Sequence, residues 1–340
     1  MKTIVTGGLG YLGSMLVKSL AEEGRQVIVL DKGIFGSEHK LPNVSYFRKF
    51  ADFIMFCKGQ LIDKDTICHL GGLSNDPMSN YDKLANVKIN TDFTRLLIKA
   101  LSNMNWKGKF IYASSASVYG FNSELVDEES KVDPNSAYAE SKHNSELLLA
   151  EECEKASITL VILRKATVMG WSVRPRLDLV VNTMVASAYK TGMIKLFSGG
   201  EIWRPLVHIG DVVDCYRYFS ADISLPNVSI WNLVHKNYRI SELGLYIKKL
   251  IKDKYGKNID IDSDYKIKDS RSYKMDGSKL EAHGFKTQHG VQKAVGEIWD
   301  GLVSGAIKDD VLNYNIKWIH NCEAVCKALG REFELMEIMS

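Results

Sequence analysis

The chain has almost no excess of either charge: 44 Lys and Arg against 41 Asp and Glu leave a net +3 over 340 residues. A balance this close gives no ground for a nucleic-acid partner, because nucleic-acid binders concentrate basic residues. No stretch reaches the roughly 18 unbroken apolar residues of a membrane helix, so no membrane partner is expected. Glycines interrupt the apolar start, and no small-residue cleavage pattern follows, so no secretory leader is expected either. The six cysteines, Cys57, Cys68, Cys153, Cys215, Cys322 and Cys326, are scattered. Only Cys322 and Cys326 lie close together, on one helix face, and no second pair or histidine cluster completes a zinc site. Reduced thiols, a cytoplasmic location and no metal are the expectation. Internal repeats and low-complexity tracts are absent.

The remaining composition, 45% hydrophobic and 25% charged, is that of an ordinary globular protein large enough for a sizeable core. The first half alternates strand and helix signals. Apolar, β-branched runs at 2–6, 25–31, 44–47, 66–72, 109–115 and 158–164 alternate with helical spacing at 11–24, 81–103 and 137–155. The long helix 81–103 is read with Leu84, Val87, Leu97, Ile98 and Leu101 on related faces. Such alternation predicts a doubly wound α/β fold with a parallel sheet. Beyond about residue 170 the pattern loosens into helices at 177–191, from Asp211 and at 241–254, with a strand near 228–234. A polar, irregular stretch covers 255–287, and 288–340 reads as helical.

The segment TGGLGYLG (6–13) places Gly7, Gly8, Gly10 and Gly13 between the first strand and the first helix. A helix start presents free N–H groups and partial positive charge, so it holds an anion, and side chains at these glycines would keep a phosphate off the backbone. The strand–turn–helix context is what a dinucleotide fingerprint requires. The next strand ends at Asp31, where a carboxylate would accept hydrogen bonds from an adenosine ribose and repel a 2′-phosphate. NAD is therefore expected over NADP, with Lys32 beside it.

Tyr138 is the only one of 15 tyrosines with a lysine four residues on, Lys142, so the two share a helix face. A phenol working as a base near neutrality needs its pKa brought from about 10 to near 7, about 4 kcal/mol. A close ammonium and a cationic nicotinamide in a partly dry site could supply much of this. Ser115, at a strand end, could hydrogen-bond the reacting oxygen.

Together these pieces resemble the extended short-chain dehydrogenase/reductase family of nucleotide-sugar epimerases and dehydratases. The matching stretches are TGGLGYLG (6–13), Asp31, HLGGLSNDP (69–77), Asn90, ASSASVYG (113–120), YAESK (138–142), RKATVMG (164–170) and WRPLVHIGDVV (203–213), in family order. The resemblance implies a Rossmann-like NAD domain over 1–170, rejoined by 205–235. It further implies a nucleotide-sugar lobe over 171–305 and a helical C-terminal extension over 306–340 that would cap the lobe or serve an oligomer contact. It implies Tyr138 as base, Lys142 as its modulator and ribose ligand, Ser115 as hydroxyl partner and Asn90 as a mainly structural residue. Gly7, Gly10, Tyr11, Leu12, Gly13, Asp31, Lys32, Asp52, Leu70, Gly71 and Gly72 would contact NAD. Ser74, Asn75, Ala116, Thr167, Arg204 and Arg271 would contact a nucleoside-diphosphate sugar. The stretch 164–182 resembles a subgroup that includes GDP-heptose 4-dehydrogenases, which would put Arg174, Arg176 and Asn182 near the sugar nucleotide as well. A homodimer built on the helices 81–103 and 137–155 is the family expectation.

Three chemistries share this machinery. A 4,6-dehydratase carries Asp and Glu directly after the residue matching Ser115, and here those positions are Ala116 and Ser117. The resemblance therefore favours hydride chemistry at C4, with an epimerase first and a 4-dehydrogenase or 4-ketoreductase as the alternative. A non-catalytic NAD-binding relative would usually have lost the Ser–Tyr–Lys set.

Overall fold

Successive strand residues point to opposite sides, and here both sides are apolar. Ile4 and Val5, Ile28 and Val29, Ile67 and Cys68, Phe110 and Ile111, and Leu160 and Val161 each divide between two separate cores. A strand buried on both faces belongs in a parallel sheet covered by helices. The computed structural model, which describes residues 1–36, 40–264 and 272–335, has such a sheet. Its seven strands, all parallel, run in the order Val228–Leu233, Thr159–Lys165, Lys109–Ser115, Thr66–His69, Lys2–Thr6, Gln26–Leu30, Val44–Phe47. The order reverses at Lys2–Thr6, so the loops leaving this strand and its neighbours diverge and open a crevice at the carboxyl edge.

Helices Tyr11–Glu22 and Ile209–Ser220 pack together on one face through Leu16, Leu20, Val212 and Tyr216. Helices Phe93–Asn103 and Ala137–Ala156 cover the other through Leu97, Ile98, Leu149 and Cys153. A third core, around Val181, Val185, Ile247 and Ile298, joins helices Val180–Thr191, Ile240–Tyr255 and Val291–Val303, with Leu206 of the strand Trp203–His208. No helix among the described residues is long and apolar enough to cross a membrane.

Three expectations need revision. The helix 81–103 is not continuous: Asp82 breaks it and caps the next turn by accepting from the Ala85 amide at 2.8 Å, and Val87–Asp92 forms a π-helical turn. This change of phase leaves Leu84 and Val87 exposed while Leu97, Ile98 and Leu101 are buried. The stretch 255–287 is not wholly irregular. Asp260–Asp264 pairs in parallel with Met193–Phe197, Lys274–Met275 pairs with Leu125–Val126, and Ser278–Ala282 is helical. The C-terminal extension does more than cap the lobe. Its helix Asn315–Ala328, through Trp318 and Ile319, and Leu335 build a small fourth core with Phe35, Leu73 and Met78, which follow strands of the sheet. Cys322 and Cys326 on that helix are free thiols.

One buried ion pair fastens the helix Ala137–Ala156 to the sheet. Arg164 donates from Nε and Nη2 to the two carboxylate oxygens of Glu146, at 3.0 and 2.8 Å, and Ser114 Oγ donates to the same carboxylate at 2.5 Å. Burial pushes the Glu146 carboxyl up, but His143, Arg164 and Ser114 around it hold it below its ordinary pKa. A depressed carboxylate pKa contributes stability that is present above the unfolded value and lost as pH falls through the folded one. We expect Glu146→Ala to cost about 3–5 kcal/mol at neutral pH, because it strands a buried guanidinium. Urea unfolding over a pH series should show the gap to the wild type narrowing at acid pH.

Candidate functional site

The crevice at the carboxyl edge of the sheet is a cleft of about 900 Å³ running from the glycine loop to the second lobe. Backbone contacts that admit no side chain set its floor. Gly7 has φ +71°, and a Cβ there would lie 2.7 Å from the Gly71 amide nitrogen. At Gly13 a Cβ would lie 2.0 Å from the Gly7 carbonyl oxygen, so the helix can start this close to the strand only with glycine. At Gly10 a Cβ would meet only the Gly7 oxygen, at 3.4 Å, and would otherwise fill the cleft. Gly10 caps the helix Tyr11–Glu22 without any side-chain hydrogen bond, so the amides that follow, including those of Tyr11, Leu12 and Gly13, open the helix toward the cleft. This is a cradle for a phosphate group, and the residues present fit a dinucleotide.

Asp31 and Lys32 line the adjoining wall. The Asp31 carboxylate accepts from the Leu9 amide at 2.9 Å and the Gly33 amide at 2.7 Å, and burial pushes its pKa up. Leu70, Gly71 and Gly72 close the opposite side. Gly72 has φ +146°, and a Cβ there would lie 2.4 Å from Asn90 Oδ1. Asn90 is buried in the π-helical turn. It accepts from the Leu73 amide at 2.7 Å and donates to Ser141 Oγ at 3.0 Å, tying this loop to the helix Ala137–Ala156.

Deeper in the cleft stand Ser115, Tyr138 and Lys142. Ser136 caps the helix Ala137–Ala156, and the helical spacing puts Tyr138 and Lys142 on one side, with Lys142 Nζ 5.8 Å from the Tyr138 ring centre. Ser115, at the end of its strand, lies near enough to the Tyr138 phenol to oppose the rise in its pKa, and its Oγ accepts from Ser117 Oγ at 2.9 Å. Burial, reinforced by the Asp76 carboxylate, pushes the Tyr138 pKa up, while Ser115 and Arg176 oppose it. Burial lowers Lys142 to about 8, with Glu146 pulling the other way. The chain's own groups therefore leave the phenol protonated. The lowering expected of the ammonium and a cationic nicotinamide together would have to outweigh this desolvation.

The remaining sequence candidates divide. Thr167 and Arg204 line the cleft; Arg204 donates to the Trp203 carbonyl at 3.0 Å and stacks 5.7 Å from the Tyr273 ring. Ser74 and Asn75 also line it, but their polar atoms meet protein: Ser74 Oγ accepts from Arg176, and Asn75 donates to Asp178 while capping Asp76–Tyr81. Arg174 and Arg176 line the cleft beside the glycine loop, and Asp178 forks onto Arg176 at 2.9 and 3.1 Å. Asn182 stands apart. It is buried away from the cleft lining, its Oδ1 accepts from the Gly170 amide, and its Nδ2 donates to the Arg176 carbonyl, so it shapes the loop that carries the arginines. Ala116 is likewise buried outside the lining. Asp52 is exposed on the helix Phe50–Cys57 and points off the cleft, whose wall there is Arg48 and Phe50. Arg271 lies outside the described residues. Sequence reading missed Lys165, Asp178 and Asn315 in the lining. Of these only Lys165 left a signal, as a charge ending an apolar strand.

Residues 3–233 match the family model described as NAD dependent epimerase/dehydratase. An ADP-L-glycero-D-manno-heptose-6-epimerase from Brachyspira hyodysenteriae is 30% identical over 266 residues, covering 74% of this chain and 80% of that protein. A UDP-glucose 4-epimerase from Lactobacillus helveticus is 26% identical over 234 residues, 64% of this chain and 71% of that one. In three dimensions a UDP-glucose 4-epimerase from Thermus thermophilus, solved with NAD, superposes with a TM-score of 0.76 at 23% identity, over 90% of this chain and 100% of the other. With the glycine cradle and the Ser–Tyr–Lys cluster in one cleft, the match over two-thirds of its length makes this chain a member of the NAD-dependent epimerase/dehydratase family of nucleotide-sugar enzymes.

Proposed function

We propose that the protein is a nucleotide-sugar 4-epimerase, inverting the C4 hydroxyl of a nucleoside-diphosphate sugar with NAD retained in the cleft. The observation that carries this reading is the convergence of Ser115, Tyr138 and Lys142 in one cleft, where the two residues after Ser115 are Ala116 and Ser117. Elimination of water needs an added acid and base, and this strand end supplies no carboxylate. NAD, when bound there, would supply the site with a hydride acceptor that can also give the hydride back. Tyr138 takes the hydroxyl proton and gives it back, Ser115 orients the oxygen, and the Lys142 ammonium stabilises the phenolate as it forms. Gly10 to Gly13 would hold the cofactor's phosphates, Asp31 its adenosine ribose, and Arg204 would face the sugar nucleotide. Exposed Leu84, Val87 and Leu147, on the helical segments that cover one side of the sheet, support the homodimer reading.

Incubation with NAD and a panel of GDP-, UDP-, dTDP- and CDP-sugars, read by proton NMR and mass spectrometry, should give a C4-inverted product of unchanged mass and no lasting nicotinamide absorbance. Stoichiometric NADH with a product two hydrogens lighter would show a dehydrogenase instead. We expect Tyr138→Phe to bind NAD normally and to lose more than about a thousandfold in rate; near-normal turnover would remove Tyr138 from the chemistry. Asp31→Ala should weaken NAD more than NADP, as isothermal titration would measure, and an equal loss of both would mean that Asp31 does not read the ribose.

A further inference from the structure

The segment that follows the strand Thr167–Met169 crosses directly over the start of the helix Tyr11–Glu22. Ser172 Oγ donates to the Tyr11 carbonyl at 2.6 Å, and the Arg174 amide donates to Ser172 Oγ at 3.2 Å. Arg174 is thereby held in the wall of the same cleft as the glycine loop, only 6% exposed. Its neighbour Arg176 is neutralised by a fork onto Asp178. Arg174 is not: Nη2 donates to two uncharged oxygens, the Leu312 carbonyl at 2.8 Å and Asn315 Oδ1 at 2.6 Å, and Nε is buried with no hydrogen-bond partner among the described residues. Its guanidinium stacks 4.6 Å from the Phe35 ring, which in turn meets Trp318 at 4.9 Å. Burial without an adjacent anion lowers the pKa of this arginine to about 9, with Arg176 adding to the effect and Asp178 and Asp31 opposing it. A desolvated guanidinium with an unmade hydrogen bond, set against an uncapped helix start, calls for an anion between them.

Resting on the NAD reading above, we propose that Arg174 forms the second wall of the cofactor's diphosphate subsite, opposite the glycine loop, and that its tie to Leu312 and Asn315 makes the C-terminal helix a latch on the bound dinucleotide. Asn315 is the keystone of the latch. It is buried at the start of the helix Asn315–Ala328, accepts from Arg174, donates to Ser74 Oγ at 3.2 Å and, through its amide, bonds Asp178 at 3.3 Å. The sheet domain, the arginine loop and the extension therefore converge on one side chain. A cofactor held in this way stays through many turnovers, as an enzyme that returns its hydride requires.

The diphosphate could instead be that of the sugar nucleotide, and binding measurements separate the two. By isothermal titration, Arg174→Gln should bind NAD about 10- to 100-fold more weakly, the loss expected for a charge-assisted hydrogen bond, with affinity for UDP unchanged. Wild-type NAD affinity in this variant, or a loss confined to UDP, overturns the proposal. Asn315→Ala leaves the arginine in place and should release NAD about tenfold faster after rapid dilution; an unchanged release rate overturns the latch. This variant also carries the test if Arg174→Gln fails to fold. A wild type that binds no NAD would sink the cofactor reading itself, whereas NAD binding indifferent to Arg174→Gln sinks only this proposal.

Discussion

The close approach of two loop backbones is the constraint on which the rest of this structure depends. Gly7 and Gly71 leave neighbouring parallel strands and pass with no room for a Cβ between them, and Gly13 comes as near to Gly7 from the helix side. Because these backbones touch, the helix Tyr11–Glu22 begins directly above the sheet edge with its first amides pointing into the crevice. Anything larger at these positions would lift the helix, and its partial charge would no longer face the cleft. The half of the cleft that holds Tyr138 and Lys142 inherits the same datum. Asn90 fixes the loop that carries Gly71 and Gly72 to Ser141, on the helix that also bears Tyr138 and Lys142.

Charge inside the cleft is arranged by burial more than by pairing. Tyr138, Lys142, Asp31 and Arg174 are all displaced from their ordinary pKa values with desolvation as the largest cause, each toward its neutral form. A cleft in this condition is poised to gain from a ligand that carries both a diphosphate and a cationic ring, since each would restore charge that the protein alone leaves unfavourable. Affinity and reactivity then come from the same source, and removing water from the site strengthens both.

Much of this was legible in the residues. Short apolar, β-branched runs, the glycine spacing, Asp31 and the Tyr138–Lys142 interval are local signals, and each lies on the strand, turn or helix that it predicts. What escaped was set by distant contacts. The rephasing of 81–103 follows from Asp82 capping a new turn and from Asn90 being drawn inward to bond Leu73 and Ser141, which no helical-wheel reading of Leu84 and Val87 contains. Asp52 stands off the cleft because its helix turns Phe53 and Cys57 inward and leaves Asp52 exposed. Arg174 and Asn315 are 141 residues apart, and their meeting at 2.6 Å depends on the path of the whole second lobe.

The strand order also bears on how the chain is made. Thr159–Lys165 is flanked on one side by Lys109–Ser115, but its other neighbour, Val228–Leu233, lies beyond the whole excursion through 166–227. During synthesis the ribosome delivers six strands and then a long interval before the seventh, so a bare apolar ribbon stands open to wrong partners in the meantime. Only when the returning segment docks is that ribbon covered, which makes completion of the nucleotide domain wait on the first part of the lobe.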